Sequence, residues 1–371
     1  MKLPRFGVEE WLNTYEKSAT HDIAGVSISA LTLAELFELT GDSQVDFLEQ
    51  VSQTKLDYGW IEGSPQFKEE VSKWYSNTKP QQILATNGAT GANLLALYAL
   101  IEPGDHVISL YPTYQQLYDI PKSLGAEVDF WEVKEELNWL PDLEGLRKLI
   151  RPNTKMICIN NANNPFGALM DRAFLEELVT IADQVGAYIL SDEVYPSFQE
   201  GLDVPAIVDI YSKGISINSL SKSLSLPGIR VGWVAANLDV IDLLRDYRDY
   251  TLICTGVFDD LLATYALQHK ELILERNRQI VETNFSILEK WLAQEPKASA
   301  ILPEKVSTSF VKLDVEQPIE EFCIRLLNEE GVLLVPGSRF GIEGHVRLGY
   351  CGSQKILSEA LEKLSKVLHT K

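Results

Sequence analysis

Lys222 lies in SLSKSLSLPGIRVGW, Ser219 to Trp233, between small hydroxyl residues and eight positions before Arg230. A lysine amine attacks a carbonyl only as the free base, and a partly desolvated site beside other cations brings that form within reach of neutral pH. Ser219, Ser221 and Arg230 can hold a phosphate on the same ligand, so the spacing suits a lysine carrying a phosphorylated aldehyde. The plainer alternative is an amphipathic strand, because Ser219, Ser221, Ser223 and Ser225 alternate with Leu220, Leu224 and Leu226. Lys222 breaks that alternation where an apolar residue belongs, and Pro227-Gly228 stops any strand short of Arg230.

These residues need a scaffold, and the stretch from about 80 to 240 supplies one. Short apolar runs read as strands: ILATN, HVISL, EVDFWEV, KMICIN, AYILS, GISIN and VGWVAA. Helix-period segments, 92–101 and 172–186 among them, fall between several of these runs. Alternating elements imply an α/β protein with a mainly parallel sheet covered on both faces, whose ligands bind beyond the carboxyl ends of the strands. The polar groups at those ends are Asn87 to Thr90, Tyr111 to Tyr114, Asn163 to Pro165, Asp192 to Tyr195 and Ser219 to Lys222.

The flanks differ in texture. Thr32 and Glu35 form a capping box for a helix stopping near Gly41, and Ser64-Pro65 opens another whose Phe67, Val71, Trp74 and Tyr75 share a face. A charged amphipathic stretch over 272–293 precedes a tail read as strand, helix 319–329, strand GVLLVPG, strand HVRLGY and helix. The organisation expected is an N-terminal segment 1–45, a large domain 46–275 and a small α/β domain 276–371 with which that segment packs.

The 33 Lys and Arg against 53 Asp and Glu give a net charge of -20, which repels phosphate backbones and anionic lipid. Nucleic acid and membrane surfaces are therefore excluded as expected partners, and any anion site must concentrate its few cations locally. Cys158, Cys254, Cys323 and Cys351 are too scattered for a disulfide framework or zinc site, and no metal is expected. The start MKLPRFGVEEW has no apolar signal core, so a cytoplasmic protein is expected.

Eight motifs then fall in one order: YGWIEG, TNGATGA, YPTY, NNPFG, SDEVY, SLSKSLSLPGIRVGW, VPGSRFG and VRLGY. In that order the chain resembles the fold-type I pyridoxal-phosphate enzymes of the class I/II aminotransferase family, from Tyr58 to Gly349. The resemblance implies pyridoxal 5'-phosphate (PLP) as cofactor and Lys222 as its Schiff-base lysine. It implies Asp192 at the ring nitrogen, where a carboxylate keeps the ring protonated and electron-withdrawing. Asn164 and Tyr195 would bond the phenolic oxygen, and Tyr114 would lie on the ring, a contact contributing ~1 kcal/mol. The phosphate would take Gly88, Ala89 and Thr90 at a helix start, with Ser219, Ser221 and Arg230. Arg347 would hold the substrate α-carboxylate with two parallel donors. Tyr58 would reach the phosphate of the neighbouring subunit, making the protein a homodimer with shared sites.

The implied reaction moves the amino group of an L-amino acid to a 2-oxo acid, with Lys222, Asp192 and Tyr195 as its catalytic groups. Two departures bear on the substrate. Phe166 stands where the family usually has a small residue, as a ring that either narrows the pocket or fills space, and Pro196 follows Tyr195. The segment DIAGVSISAL, with Gly25 toward the substrate, replaces the usual glycine-rich stretch and is similar to the capreomycidine synthase branch. That likeness implies an alternative, a PLP-dependent lyase or cyclase, since one carbanion serves transamination, carbon-sulfur β-elimination and cyclisation. A ligand-sensing domain of a regulator would instead need a basic DNA-binding module, and no basic extension precedes Leu3.

Overall fold

The computed structural model describes residues 2–370. An eight-stranded sheet runs Ile83–Thr86, Gly232–Ala235, Gly214–Ser219, Tyr188–Asp192, Thr154–Asn160, His106–Tyr111, Glu127–Lys134 and Leu140–Pro141. The five strands from Gly214–Ser219 across to Glu127–Lys134 are parallel, as the alternation of elements predicts. Gly232–Ala235 runs antiparallel to both its neighbours, so Ile83–Thr86 ends at the same edge as the parallel set.

Both faces of this sheet are buried, which is why its strands read as continuous apolar runs. Along Thr154–Asn160, Met156 and Cys158 pack with helices Gly88–Leu100 and Leu238–Arg248, while Ile157 and Ile159 pack with helix Arg172–Asp183 on the opposite face. Period-2 alternation thus distributes side chains between two apolar layers, each fully buried residue contributing roughly 1.5–3 kcal/mol.

A four-stranded antiparallel sheet is ordered Ala298–Ala300, Thr308–Leu313, His345–Gly349 and Val335–Pro336. Helix Lys270–Gln294 leads into it, and helices Ile319–Glu330 and Gln354–His369 share its core. Val8, Trp11, Ile23 and Ile28 from the start of the chain are buried in that same core. The run GVLLVPG is two strands rather than one. Val332–Leu333 pairs with His21–Asp22 and Val335–Pro336 with Val346 and Arg347, because the backbone changes sheets at Leu334, whose carbonyl accepts from Trp11 Nε1 at 2.8 Å.

Local signals set other boundaries. Thr32 and Glu35 form the expected capping box, and Gly41 ends that helix at φ 77°. The helix opened by Ser64-Pro65 stops at Ser72, so Trp74 and Tyr75 lie beyond it, although Tyr75 still joins Phe67 and Val71 in one core. Among the described residues no helix is long and apolar enough to cross a membrane.

Candidate active site

The serine alternation is not a continued strand. The strand ends at Ser219, and the chain turns through Ser225 at φ 58° and Arg230 at φ 53°. Leu220 and Leu224 are buried beneath this loop, and Leu226 N donates back to Leu220 O at 3.1 Å. The leucines clamp the loop to the core, Ser219, Ser221 and Lys222 line a cavity of about 510 Å³, and Ser223 and Ser225 are buried away from it, donating to Ser219 O and Asn277 Oδ1.

Lys222 Nζ donates to Ser27 Oγ at 3.1 Å. Burial pushes the Lys222 amine down to about 8, assisted by the Arg347 and Arg230 charges and opposed by Glu9 and Asp192. A lysine so placed gives up its proton far more readily than one in water.

Asp192 closes the neighbouring strand and is buried. Its Oδ2 accepts from Asn93 Nδ2 at 2.7 Å, and its Oδ1 accepts from Val194 N at 3.4 Å. Burial raises the carboxyl to about 6 even against those bonds and the Lys222 charge. It caps no helix, since no helix follows before Ile207–Ile210. A carboxylate held this way suits a cationic ring nitrogen better than an empty apolar wall.

Three more strand ends meet here. Asn164 N donates to Asn160 Oδ1 at 2.8 Å, and Asn164 Oδ1 accepts from Arg347 Nη1 at 3.2 Å. Arg347 arrives from the other sheet, is buried, and gives Nη2 to Ala24 O at 3.0 Å, while its Nε has no partner among the described residues. Tyr195 is buried, and burial pushes its phenol well above the ordinary range. The Tyr114 hydroxyl lies 3.4 Å from Thr90 Oγ1, and burial takes that phenol to about 12.

The anion end is a helix start. Asn87, at the N-cap of Gly88–Leu100, makes no side-chain capping bond, so the first backbone N-H groups stay available to a ligand. Ala89, Thr90 and Arg230 line the cavity beside them. Gly88 has φ +70°, and a Cβ there would stand 2.7 Å from Arg230 Nη2, so only glycine lets the guanidinium lie against the helix start. Free amides, hydroxyls and one guanidinium at one end, a buried carboxyl at the other, and a lysine between them fit a phosphorylated pyridine aldehyde.

Of the expected site residues, Lys222, Asp192, Tyr195, Ala89, Thr90, Tyr114, Asn164, Ser219, Ser221, Arg230, Arg347 and Gly25 line this single cavity, with Gly88 beneath its anion end. Tyr58 does not join them: it is 76% exposed and lines a separate cavity of about 1040 Å³ with Trp60 and Ile61. Phe166 does not narrow the pocket. It is buried against Trp139 at 4.4 Å and Phe310 at 5.0 Å, filling space behind Asn164, and Pro196 is likewise absent from the lining.

The sequence reading missed Asn93, Ser27 and the Gly7–Tyr15 helix, which brings Phe6, Val8 and Glu9 to the cavity. Asn93 left a trace as a polar residue within ANLLALYAL that the helical period turns inward. Glu9 left none.

The family model for aminotransferases of class I and II matches residues 38–364. A crystal structure of a PLP-dependent aminotransferase from Streptococcus suis is similar at 68% identity and TM-score 0.98, covering 99% of this chain and 98% of that one. An aspartate aminotransferase of Thermotoga maritima is 33% identical over 81% of this chain and 78% of its own length. Capreomycidine synthase of Streptomyces vinaceus is 27% identical over 99% of this chain and 95% of its own length.

Proposed function

The chain belongs to the class I and II aminotransferase family, and from that premise we propose that it moves the amino group of an L-amino acid to a 2-oxo acid, with Lys222 as the cofactor-bearing lysine. It is a PLP-dependent transaminase. The observation that carries the reading is one cavity holding a lysine with its amine lowered to about 8, a buried carboxyl raised to about 6, and a buried arginine with an unpartnered Nε.

When bound, the cofactor supplies an electron sink that makes the α-proton of an attached amino acid removable. Ala89, Thr90, Ser219, Ser221 and Arg230 would hold its phosphate. Asp192, fixed by Asn93, would keep a proton on the ring nitrogen. Asn164 and Tyr195 would donate to the phenolic oxygen, and Tyr114 would lie against the ring. Arg347 takes the substrate α-carboxylate beside Gly25 and Asn164, which presents Cα to Lys222. Lys222 Nζ then removes the α-proton as general base.

The assembly proposed is a homodimer in the cytoplasm. Leu56, Tyr58, Trp60 and Ile61 are 77%, 76%, 61% and 54% exposed, an apolar patch of the kind a second copy covers. Tyr58 would reach the partner's phosphate from that patch. The division proposed is a large domain over 46–275 and a small one over 276–371 with 1–45, except that helix Leu33–Thr40 buries Leu36 against Phe67 and Trp233 of the large domain.

The full-length match to capreomycidine synthase favours a second reading, elimination or cyclisation by the same residues. Mixing the yellow protein with single amino acids and no acceptor decides between them. Stoichiometric 2-oxo acid with pyridoxamine phosphate supports transamination, whereas continuing release of ammonia or a cyclic product supports the second reading. Undiminished turnover by Lys222→Ala overturns both.

A further inference from the structure

The charges around the cavity can be assigned one by one. Arg230 and Arg347 serve two anions, the phosphate and the α-carboxylate, on the reading given above, on which this inference rests. Arg339 also lines the cavity, yet it is already engaged: Nη1 lies 3.3 Å from Glu10 Oε2, Nη2 lies 2.6 Å from Glu320 Oε1, and the guanidinium faces the Trp11 ring at 5.4 Å. Among the described residues both terminal nitrogens of every remaining lining guanidinium are thus taken by acidic side chains, and only Arg339 Nε stays unpartnered.

The opposite charge is in surplus. Glu9 lines the cavity from the first turn of the Gly7–Tyr15 helix and pairs with no cation among the described residues, while its neighbour Glu10 takes both Arg5 and Arg339. A carboxylate in a first helical turn is favoured by the helix dipole, which accounts for Glu9 being acidic but not for its facing the cavity. Gly7 N donates to Gln115 Oε1 at 2.8 Å, which pins that turn beside Gln115 and Gln116. Gln116 gives its Nε2 to Thr90 O at 3.2 Å and is left with a buried Oε1 that has no partner. One side of the cavity thus offers a carboxylate and an amide oxygen, both acceptors, beside the apolar side chains of Phe6 and Leu12.

We propose that Glu9 selects the amino-acid substrate, favouring an L-amino acid whose side chain ends in a cation, a guanidinium or an ammonium, over one that ends in a carboxylate. The methylenes of such a side chain run along Phe6 and Leu12, and its donors meet Glu9 and Gln116 Oε1. A second carboxylate there finds only like charge and acceptors, which specificity by repulsion exploits.

The experiment compares L-arginine with its uncharged near-isostere L-citrulline, and with L-aspartate, on the holoenzyme. Equilibrium binding is read from the shift of the cofactor absorption band, and turnover is followed separately. Arginine is expected to bind at least about tenfold more tightly than citrulline, the factor that one 1.4 kcal/mol interaction supplies. In Glu9→Gln that ratio is expected to fall below about threefold. The ratio compares two ligands on the same molecules, so a partly misfolded variant does not distort it. Equal binding of arginine and citrulline by the wild type, an unchanged ratio in Glu9→Gln, or tighter binding of aspartate overturns the proposal. Failure of the aminotransferase reading is seen elsewhere, as absence of 2-oxo acid in the turnover measurement, while the binding ratio still reports on Glu9.

Discussion

Ser27 Oγ accepts a hydrogen bond from Lys222 Nζ at 3.1 Å across 195 positions of sequence. The N-terminal segment therefore touches the reacting amine itself. An acceptor at that distance fixes the direction of the amine, so its loss loosens the aim of Nζ. Ser27→Ala is expected to lower kcat by about tenfold, on the order of one such hydrogen bond, with an unchanged thermal unfolding temperature. An unaltered kcat would remove Ser27 from the machinery.

Lys222 titrates at about 8 instead of 10.5, and the sign of the consequence is fixed. The unfolded chain holds more protons than the native chain between those values, so this residue makes stability rise with pH across that window. In the cofactor-free protein, uptake of pyridoxal phosphate is expected to quicken as pH rises and to level off near pH 8. Stopped-flow absorbance over a pH series checks this, and a rate still climbing steeply to pH 10 contradicts it.

Asp192 has the opposite sign. Its carboxyl holds a proton to about 6 in the native chain and to 3.8 in the unfolded one, so stability from this residue falls as pH rises between them. Above that window the buried charge costs at most about 3 kcal/mol. Asp192→Asn is expected to stabilise the cofactor-free chain at pH 8 more than at pH 5, while abolishing turnover. Urea midpoints at the two pH values measure the difference, and an equal effect at both defeats the argument.

Gly88→Ala places a methyl 2.7 Å from Arg230 Nη2 at a backbone angle of φ +70°. The left-handed conformation alone costs about 1–2 kcal/mol, and the guanidinium must leave the helix start. Cofactor retention on dialysis is expected to fall by an order of magnitude or more, at least one 1.4 kcal/mol step. Retention equal to the wild type would show that Arg230 does not hold the phosphate.

Trp60 is 61% exposed within an apolar patch beside Tyr58. Trp60→Glu is expected to convert a dimer into monomers in sedimentation, with loss of cofactor affinity if Tyr58 serves the partner's site. A monomeric wild type would end the shared-site proposal.

How far the sequence revealed this arrangement depends on where each residue acts. The strand ends were legible because continuous apolar runs stop abruptly at polar groups, and Lys222, Asp192 and Asn164 all follow such stops. Arg347 was legible through VRLGY, a strand of the other sheet. Contacts across long separations were not. Asn93 supports Asp192 from 99 positions away, and Trp11 reaches Leu334 from 323, distances over which no local pattern carries information. Phe166 was legible as a departure but not in its direction, since a side chain's facing depends on Trp139 and Phe310, which only the folded chain brings to it.

The strand order has a further consequence, for synthesis. Ile83–Thr86 has Gly232–Ala235 as its only neighbour in the sheet, and the latter is the last of the eight strands to leave the ribosome. The helix from Gly88 can pack on Leu117, Met156 and Leu190 as they appear, but the anion site at its start stays incomplete until the segment bearing Lys222 and Arg230 has emerged. Arg347 follows much later still. A growing chain can thus gather the pieces that grip the cofactor before it owns the one that recognises substrate, and birth order separates the two acts that the finished enzyme performs in one cavity.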